Sequence, residues 1–304
     1  MTGATGLVGR ALCEELLQEG APFRVLSRDP PAAERLVPGA ESYHLWQPIE
    51  RGNVVTDLIE EARAIVHLAS PLISPGRWND AHRHELYDSC VMGTRGLVSA
   101  LAQAAEGARP EVLVSASTVA YYALDASGER EVDEAGEAGD DFLSRLAADW
   151  ETEARQAEKL GVRVVLLRSA LVLGADGPLR HLRRAASLGM GGGLAPGQQR
   201  QAWIHLDDEV GLLLLALGDG RVRGPLNAVA PHAVSSAEFM STLCAQLGVP
   251  PGLPAPDWLL KSRFGTGAVA VTHGRSAVPA RALELDYEFR LPRLDAALWR
   301  ALAA

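Results

Sequence analysis

The chain has 304 residues, a formal net charge of −9 and an apolar fraction of 47%. That size suits one large domain, or a large one with a small one, and supplies ample side chains for a core. The negative balance argues against a nucleic-acid surface, which needs clustered positive charge. Cys13, Cys90 and Cys244 are scattered with no CxxC pair, so they read as buried thiols in a reducing compartment. No His/Cys/acid spacing points to a metal. No signal peptide is evident, and the longest apolar run, Val210 to Leu217, is too short to span a bilayer. A cytoplasmic protein without membrane or nucleic-acid partners is expected.

The chain opens inside a glycine-rich turn, Thr2-Gly3-Ala4-Thr5-Gly6-Leu7-Val8-Gly9. Such a turn follows a buried strand and opens a helix. Gly3 permits the sharp turn, Gly6 lets a pyrophosphate approach the backbone, and Gly9 lets the helix pack on the sheet. The predicted helix runs from about Leu7 to Glu19 and stops at Gly20. Its N-terminus offers free N–H groups to phosphate oxygens. The spacing predicts dinucleotide binding. Only Met1 precedes the motif, so the first, central strand is expected to be missing or reduced to its last residue. Two explanations are a real loss, with unpaired backbone groups, or a true start upstream, the one we favour.

The next strand is Phe23-Arg24-Val25-Leu26. An acid at its end would hold the ribose hydroxyl of NAD, whereas an arginine suits a 2′-phosphate. Ser27 and Arg28 stand there, so the cofactor is expected to be NADP(H). A strand over Ile65–Ala69, a helix over Asp80–Ala105, a strand over Val112–Ser115, a helix over Asp141–Lys159 and a strand over Val162–Leu167 follow. This alternation predicts an α/β fold, a doubly wound parallel sheet in the order 3-2-1-4-5-6-7, with ligands at the carboxyl ends of the strands. His205 precedes Asp207, which reads as a helix N-cap. Ser235 with Glu238 forms a capping-box pattern opening a helix to Leu247. A proline-rich link from Gly248 divides a domain of residues 1–247 from a small C-terminal α/β cap of residues 248–304, which closes with a helix over Leu294–Leu302.

These motifs, with Val66-His67-Leu68-Ala69, Ser115-Ala116-Ser117 followed by Tyr121-Tyr122, Leu167-Arg168-Ser169-Ala170-Leu171, Ala202-Trp203-Ile204-His205 and Val278-Pro279-Ala280-Arg281, run in order along almost the whole chain. The chain resembles the extended or atypical short-chain dehydrogenase/reductases. More narrowly, it resembles epimerase-family proteins with a small C-terminal domain of unknown function, a group often mislabelled as cell-division inhibitors. The resemblance implies an NAD(P)-binding Rossmann fold. It places Gly3, Thr5, Gly6, Leu7, Val8 and Gly9 at the pyrophosphate, Ala69 and Ser70 beside the nicotinamide ribose, and Ser169, Ala170 and Leu171 along the nicotinamide.

The superfamily's Tyr-x-x-x-Lys pair is absent: none of Tyr43, Tyr87, Tyr121, Tyr122 and Tyr287 has a lysine four residues on, and the helix that should carry the pair has Phe142 and Leu146. Ser117, Tyr121 and Tyr122 are the candidate catalytic hydroxyls, with the alternative that Ser117 and Tyr122 only orient loops or line a pocket. Arg168 either pairs an acid in the core or touches ligand. His82 and His84 point to different sides of a helix and do not make a metal pair. The glycine-rich stretch from Gly189 to Gly197 reads as a loop covering the substrate. The expected function is an NADP(H)-dependent oxidoreductase or epimerase acting on a small carbonyl or alcohol. The alternatives are a non-catalytic NADP(H)-binding regulatory protein and a truncated, cofactor-free relic.

Overall fold

The computed structural model describes residues 1–47, 56–70, 79–125, 130–192, 197–252 and 274–303. The central sheet is parallel and contains β1 (Arg24–Ser27), β2 (Ser42–Leu45), β3 (Ala64–His67), β4 (Val112–Thr118), β5 (Arg163–Ser169) and β6 (Gly224–Ala228). Thr2 bridges Leu26 of β1 and His67 of β3, both in parallel. With Thr2 taken as the first strand, the order is the expected 3-2-1-4-5-6-7.

The first strand is shorter than its neighbours but longer than its expected single residue. Met1 and Thr2 both take part: Leu26 N–H donates to the Met1 carbonyl at 2.8 Å and Thr2 N–H to the Val66 carbonyl at 2.9 Å. Before them, between β1 and β3, lies a cavity of about 320 Å³ whose walls include Leu16, Phe23, Leu26, Ile59, Ile65 and Val66. The Met1 ammonium donates to the Arg24 carbonyl at 2.5 Å, and burial lowers its pKa to about 6.

Helices cover both faces of the sheet, which is why the central strands read as unbroken apolar runs. Val114, Val165 and Leu167 share one apolar cluster with α1 (Leu7–Gln18) and α8 (Leu206–Gly218), which lie side by side on that face. Their sequence neighbours Leu113, Val164 and Leu166 point the other way, onto α5 (Gly93–Gln103). The helix expected over residues 80–105 consists of α4 (Asp80–Tyr87) and α5, joined by a π turn over Asp88–Met92. Short helices α2 (Pro30–Leu36) and α3 (Thr56–Glu60) follow β1 and β2. The Asp141 carboxylate caps α6 (Phe142–Arg155). One cap differs from the reading of the sequence. His205, not Asp207, caps α8, its Nδ1 accepting the Asp207 N–H at 3.0 Å. The helix starts at Leu206, which puts Asp207 inside its first turn and the buried His205 ring at the cap position.

A second apolar cluster joins α7 (Pro178–Ala185), α9 (Ser236–Leu247) and α11 (Leu294–Ala303) through Leu179, Trp203, Phe239, Leu243 and Leu298. Thus α9 and α11, on either side of the expected boundary at 247/248, share one core. A single turn of helix, α10 (Ala280–Glu284), docks on β6. Ser235 caps α9 by accepting the Glu238 N–H at 3.1 Å, as its sequence pattern predicts. Cys13, Cys90 and Cys244 are buried free thiols. Among the described residues no helix is long and apolar enough to cross a membrane, and no group of three or more metal-ligating side chains forms.

Candidate functional site

The glycine turn sits at the carboxyl end of the sheet, and its three glycines differ in what demands them. Gly3 has φ +69°, and a Cβ there would lie 2.5 Å from the Leu68 carbonyl carbon. A Cβ on Gly9 would overlap the Gly3 carbonyl oxygen. The protein's own packing therefore excludes side chains at both positions. Gly6 has φ −75°, and its added Cβ would come no nearer than 3.4 Å to any protein atom. Among the described residues nothing within the fold requires glycine there, and Gly6 lines the crevice in front of the turn. Helix α1 starts with no side-chain cap and no acid in its first turn. Gly6 N–H bonds the Gly3 carbonyl at 3.1 Å and Arg10 N–H the Gly6 carbonyl at 2.9 Å, so the amides between them, of Leu7, Val8 and Gly9, are left for an outside acceptor.

A crevice of about 690 Å³ runs from this turn and gathers Gly3, Thr5, Gly6, Ser27, Arg28, Ala69 and Ser70. It brings in residues the sequence reading did not single out: Trp46 after β2, and His84, Glu85, Asp88 and Ser89 from α4 and the π turn. Leu7, Val8 and Gly9 form the first turn of α1 and offer backbone only. The Leu7 side chain sits where a Cβ on Gly174 or Gly177 would fall, Val8 packs on the core, and Gly9 is buried. Ser169, Ala170 and Leu171 lie outside this lining, at the end of β5 beside Thr118. Ala170 N–H donates to the Ala228 carbonyl at 3.1 Å and Leu171 N–H to the Ala202 carbonyl at 3.4 Å.

At the far end of β1 the charges sort themselves. The Asp29 carboxylate accepts the Ala32 N–H at 3.0 Å as the cap of α2, and Asp29 N–H donates to the Ser27 hydroxyl at 3.1 Å. Arg28 is exposed and forms no ion pair with any described residue. A free cation and a committed carboxylate are what remain at the strand end.

The candidate catalytic hydroxyls have unequal surroundings. Ser117 is buried and donates to Glu151 Oε1 at 2.7 Å. The Tyr122 hydroxyl, in a residue 1% exposed, donates to Asn227 Oδ1 at 2.7 Å and accepts from Arg168 Nη1 at 2.8 Å. Burial pushes its pKa up to about 12, against the pull of Arg168. Tyr121 is half-buried; the Arg168 guanidinium carbon lies 3.6 Å from its ring centroid, and its hydroxyl bonds no described residue. Arg168 is held by the buried acid Glu151, so it pairs within the core. Phe142 and Leu146 pack with Trp150 in an apolar cluster, so no second tyrosine or lysine enters from that helix. Trp203 is core, while Trp78 and most of the tip of the glycine-rich stretch near Pro196 lie outside the described residues.

Glu151, Glu134 and Asn227 complete this network. Glu134 accepts the backbone N–H of Asn227 at 3.0 Å and of Arg281 at 3.2 Å, tying the C-terminal segment to the sheet. Behind β5, Ser169 donates to the buried Glu209 at 2.5 Å, and the other Glu209 oxygen has no partner among the described residues. Burial raises its pKa to about 7, opposed by the Ser169 hydrogen bond.

The profile of the NAD dependent epimerase/dehydratase family matches residues 1–228, and that of a domain of unknown function, DUF1731, matches residues 255–301. The chain is 36% identical over 299 residues to the chloroplastic epimerase family protein SDR39U1 homolog of Arabidopsis thaliana, covering 98% of this chain and 84% of that protein. Its fold superposes on a crystal structure of human epimerase family protein SDR39U1 with NADPH at a TM-score of 0.85 and 31% identity, covering 99% and 98% of the two chains. A nucleoside-diphosphate sugar epimerase from Corynebacterium glutamicum aligns at a TM-score of 0.77 and 29% identity, over 99% of this chain and 57% of that one. A Rossmann-like sheet, the glycine cradle and both profile matches lead to one conclusion: this chain belongs to the NAD dependent epimerase/dehydratase family, with a DUF1731 domain at its C-terminal end.

Proposed function

We propose that the protein binds NADP(H) along the crevice and acts as an oxidoreductase or epimerase on a small carbonyl or alcohol. The observation that carries the cofactor preference is an Arg28 without an ion pair among the described residues beside an Asp29 already committed as a helix cap. The amides of Leu7, Val8 and Gly9 and the bare backbone at Gly6 would hold the diphosphate, and Ser27 with Arg28 the 2′-phosphate. The NADPH carried by the human SDR39U1 structure supports this reading. When bound, the nicotinamide supplies hydride chemistry. Ala69 and Ser70 would border its ribose, and Ser169 to Leu171 its far side. Tyr121 is the proposed proton donor to a substrate oxygen, since its hydroxyl has no described partner and those of Ser117 and Tyr122 do. Ser117 and Tyr122 would then hold Arg168 and the loop that carries Tyr121.

A second reading, a non-catalytic NADP(H)-binding protein, draws on the same two engaged hydroxyls. Fluorescence titration with NADPH and NADH, followed by a panel of carbonyl substrates, separates the two. NADPH oxidation that disappears in Tyr121→Phe supports the enzyme. Tight NADPH binding without turnover supports the second reading. Equal affinity for NADH and NADPH removes the cofactor assignment.

A further inference from the structure

We infer that His67 is the positioning residue of the cofactor crevice: through Thr2 and Thr94 its ring ties together the three backbone segments that wall the site, without touching ligand itself. The inference rests on the NADP(H) reading above. It comes from a chain of hydrogen bonds with a single allowed direction.

Ala69 N–H donates to Thr2 Oγ1 at 3.2 Å, and Thr2 Oγ1 lies 2.7 Å from His67 Nδ1. On the other side, His67 Nε2 lies 3.1 Å from Thr94 Oγ1, which donates to the Cys90 carbonyl at 2.6 Å. A carbonyl only accepts, so the single Thr94 hydroxyl hydrogen goes to Cys90. Thr94 oxygen must then accept, and Nε2 carries the imidazole hydrogen. In the neutral ring Nδ1 is then a bare acceptor, so Thr2 oxygen accepts the Ala69 N–H and gives its own hydrogen to Nδ1. Every group is satisfied by the neutral Nε2–H ring and by no other form. Thr2, His67 and Thr94 are all fully buried, so an unmatched hydrogen would have no water to turn to. Burial lowers the His67 pKa and keeps the ring neutral. Trp46 stands edge-on to it at 5.6 Å.

Both ends of the chain reach the crevice. Ala69 lines it directly, and Cys90 belongs to the π turn that places Asp88 and Ser89 on its wall. Thr2 immediately precedes Gly3, whose missing Cβ lets Leu68 and Ala69 sit in contact with the turn. The three segments are far apart in sequence and meet at one ring.

The test uses Thr94→Val, which keeps shape but removes the acceptor for Nε2–H, beside Thr94→Ser, which restores it. We expect the NADPH Kd to rise about tenfold or more in Thr94→Val and to return to within about threefold of wild type in Thr94→Ser, measured well below each variant's Tm. The ring nitrogen shifts of His67 in ¹⁵N NMR should report a neutral Nε2–H tautomer in the wild-type protein from pH 8 down to about pH 5, on the histidine scale. An unchanged NADPH Kd in folded Thr94→Val, or an Nδ1–H tautomer, overturns the role of His67. Failure of the wild-type protein to bind NADPH while the NMR shows the Nε2–H ring overturns the cofactor reading, and this role with it.

Discussion

Arg168 and Glu151 meet in a two-point ion pair, Nε to Oε1 at 2.7 Å and Nη2 to Oε2 at 2.8 Å, with both side chains buried. Ser117 shares the Glu151 oxygen, and Arg168 lies over Tyr121 and bonds Tyr122. The pair therefore anchors the Ser117 and Tyr122 hydroxyls and packs against the ring of Tyr121. Removing one partner leaves a buried charge, so Glu151→Ala should cost about 3–5 kcal/mol. Urea denaturation of the variant and of a Glu151→Met/Arg168→Met double variant checks it. The double variant should be clearly more stable than the single one.

Arg28 and Asp29 should separate the two nicotinamide cofactors. Arg28→Ala is expected to raise the NADPH Kd about tenfold, equivalent to about 1.4 kcal/mol, and to leave NADH unchanged. The exposed site makes this difference salt-sensitive, and it should shrink as ionic strength rises. An NADPH affinity unmoved by the substitution would show that the 2′-phosphate lies elsewhere.

The glycines of the turn should fail in different ways. Gly6→Ala meets no protein atom closer than 3.4 Å, so its Tm should stay near wild type while NADPH affinity drops about tenfold or more. Gly9→Ala must displace the Gly3 carbonyl and is expected to lose about 3 kcal/mol of stability. Thermal melts with parallel cofactor titrations distinguish the two effects.

Glu209 predicts a pH dependence of stability with a defined sign. Its folded pKa is raised from 4.5 to about 7, so between those values the folded state holds a proton the unfolded chain has released. The stability tied to that proton is fully present below about pH 4.5 and lost as the pH rises through about 7, to the order of 3 kcal/mol. Glu209→Gln should remove this dependence and be the more stable protein at pH 8. Paired urea titrations at several pH values give the comparison. A wild-type minus variant difference that is flat with pH would contradict it.

The sequence by itself determined the parallel sheet and the glycine turn at its carboxyl end. Alternating apolar runs and helical periods are local signals, and together with the opening glycine turn they point to the dinucleotide-binding sheet and its usual strand order. The Gly3, Gly6 and Gly9 spacing and the Ser27-Arg28 pair were legible for the same reason: each acts within a few residues of itself. Tertiary structure decided what each side chain faces. Whether Arg168 met an acid or a ligand depended on Glu151, on another element, and the cap of α8 depended on how deeply His205 is buried. The wall formed by His84, Glu85, Asp88 and Ser89 and the joining of Thr2, His67 and Thr94 arise from residues distant in the chain. No local pattern encodes such meetings, because hydrogen-bond satisfaction in a dry interior is a property of the packed fold and not of any one segment.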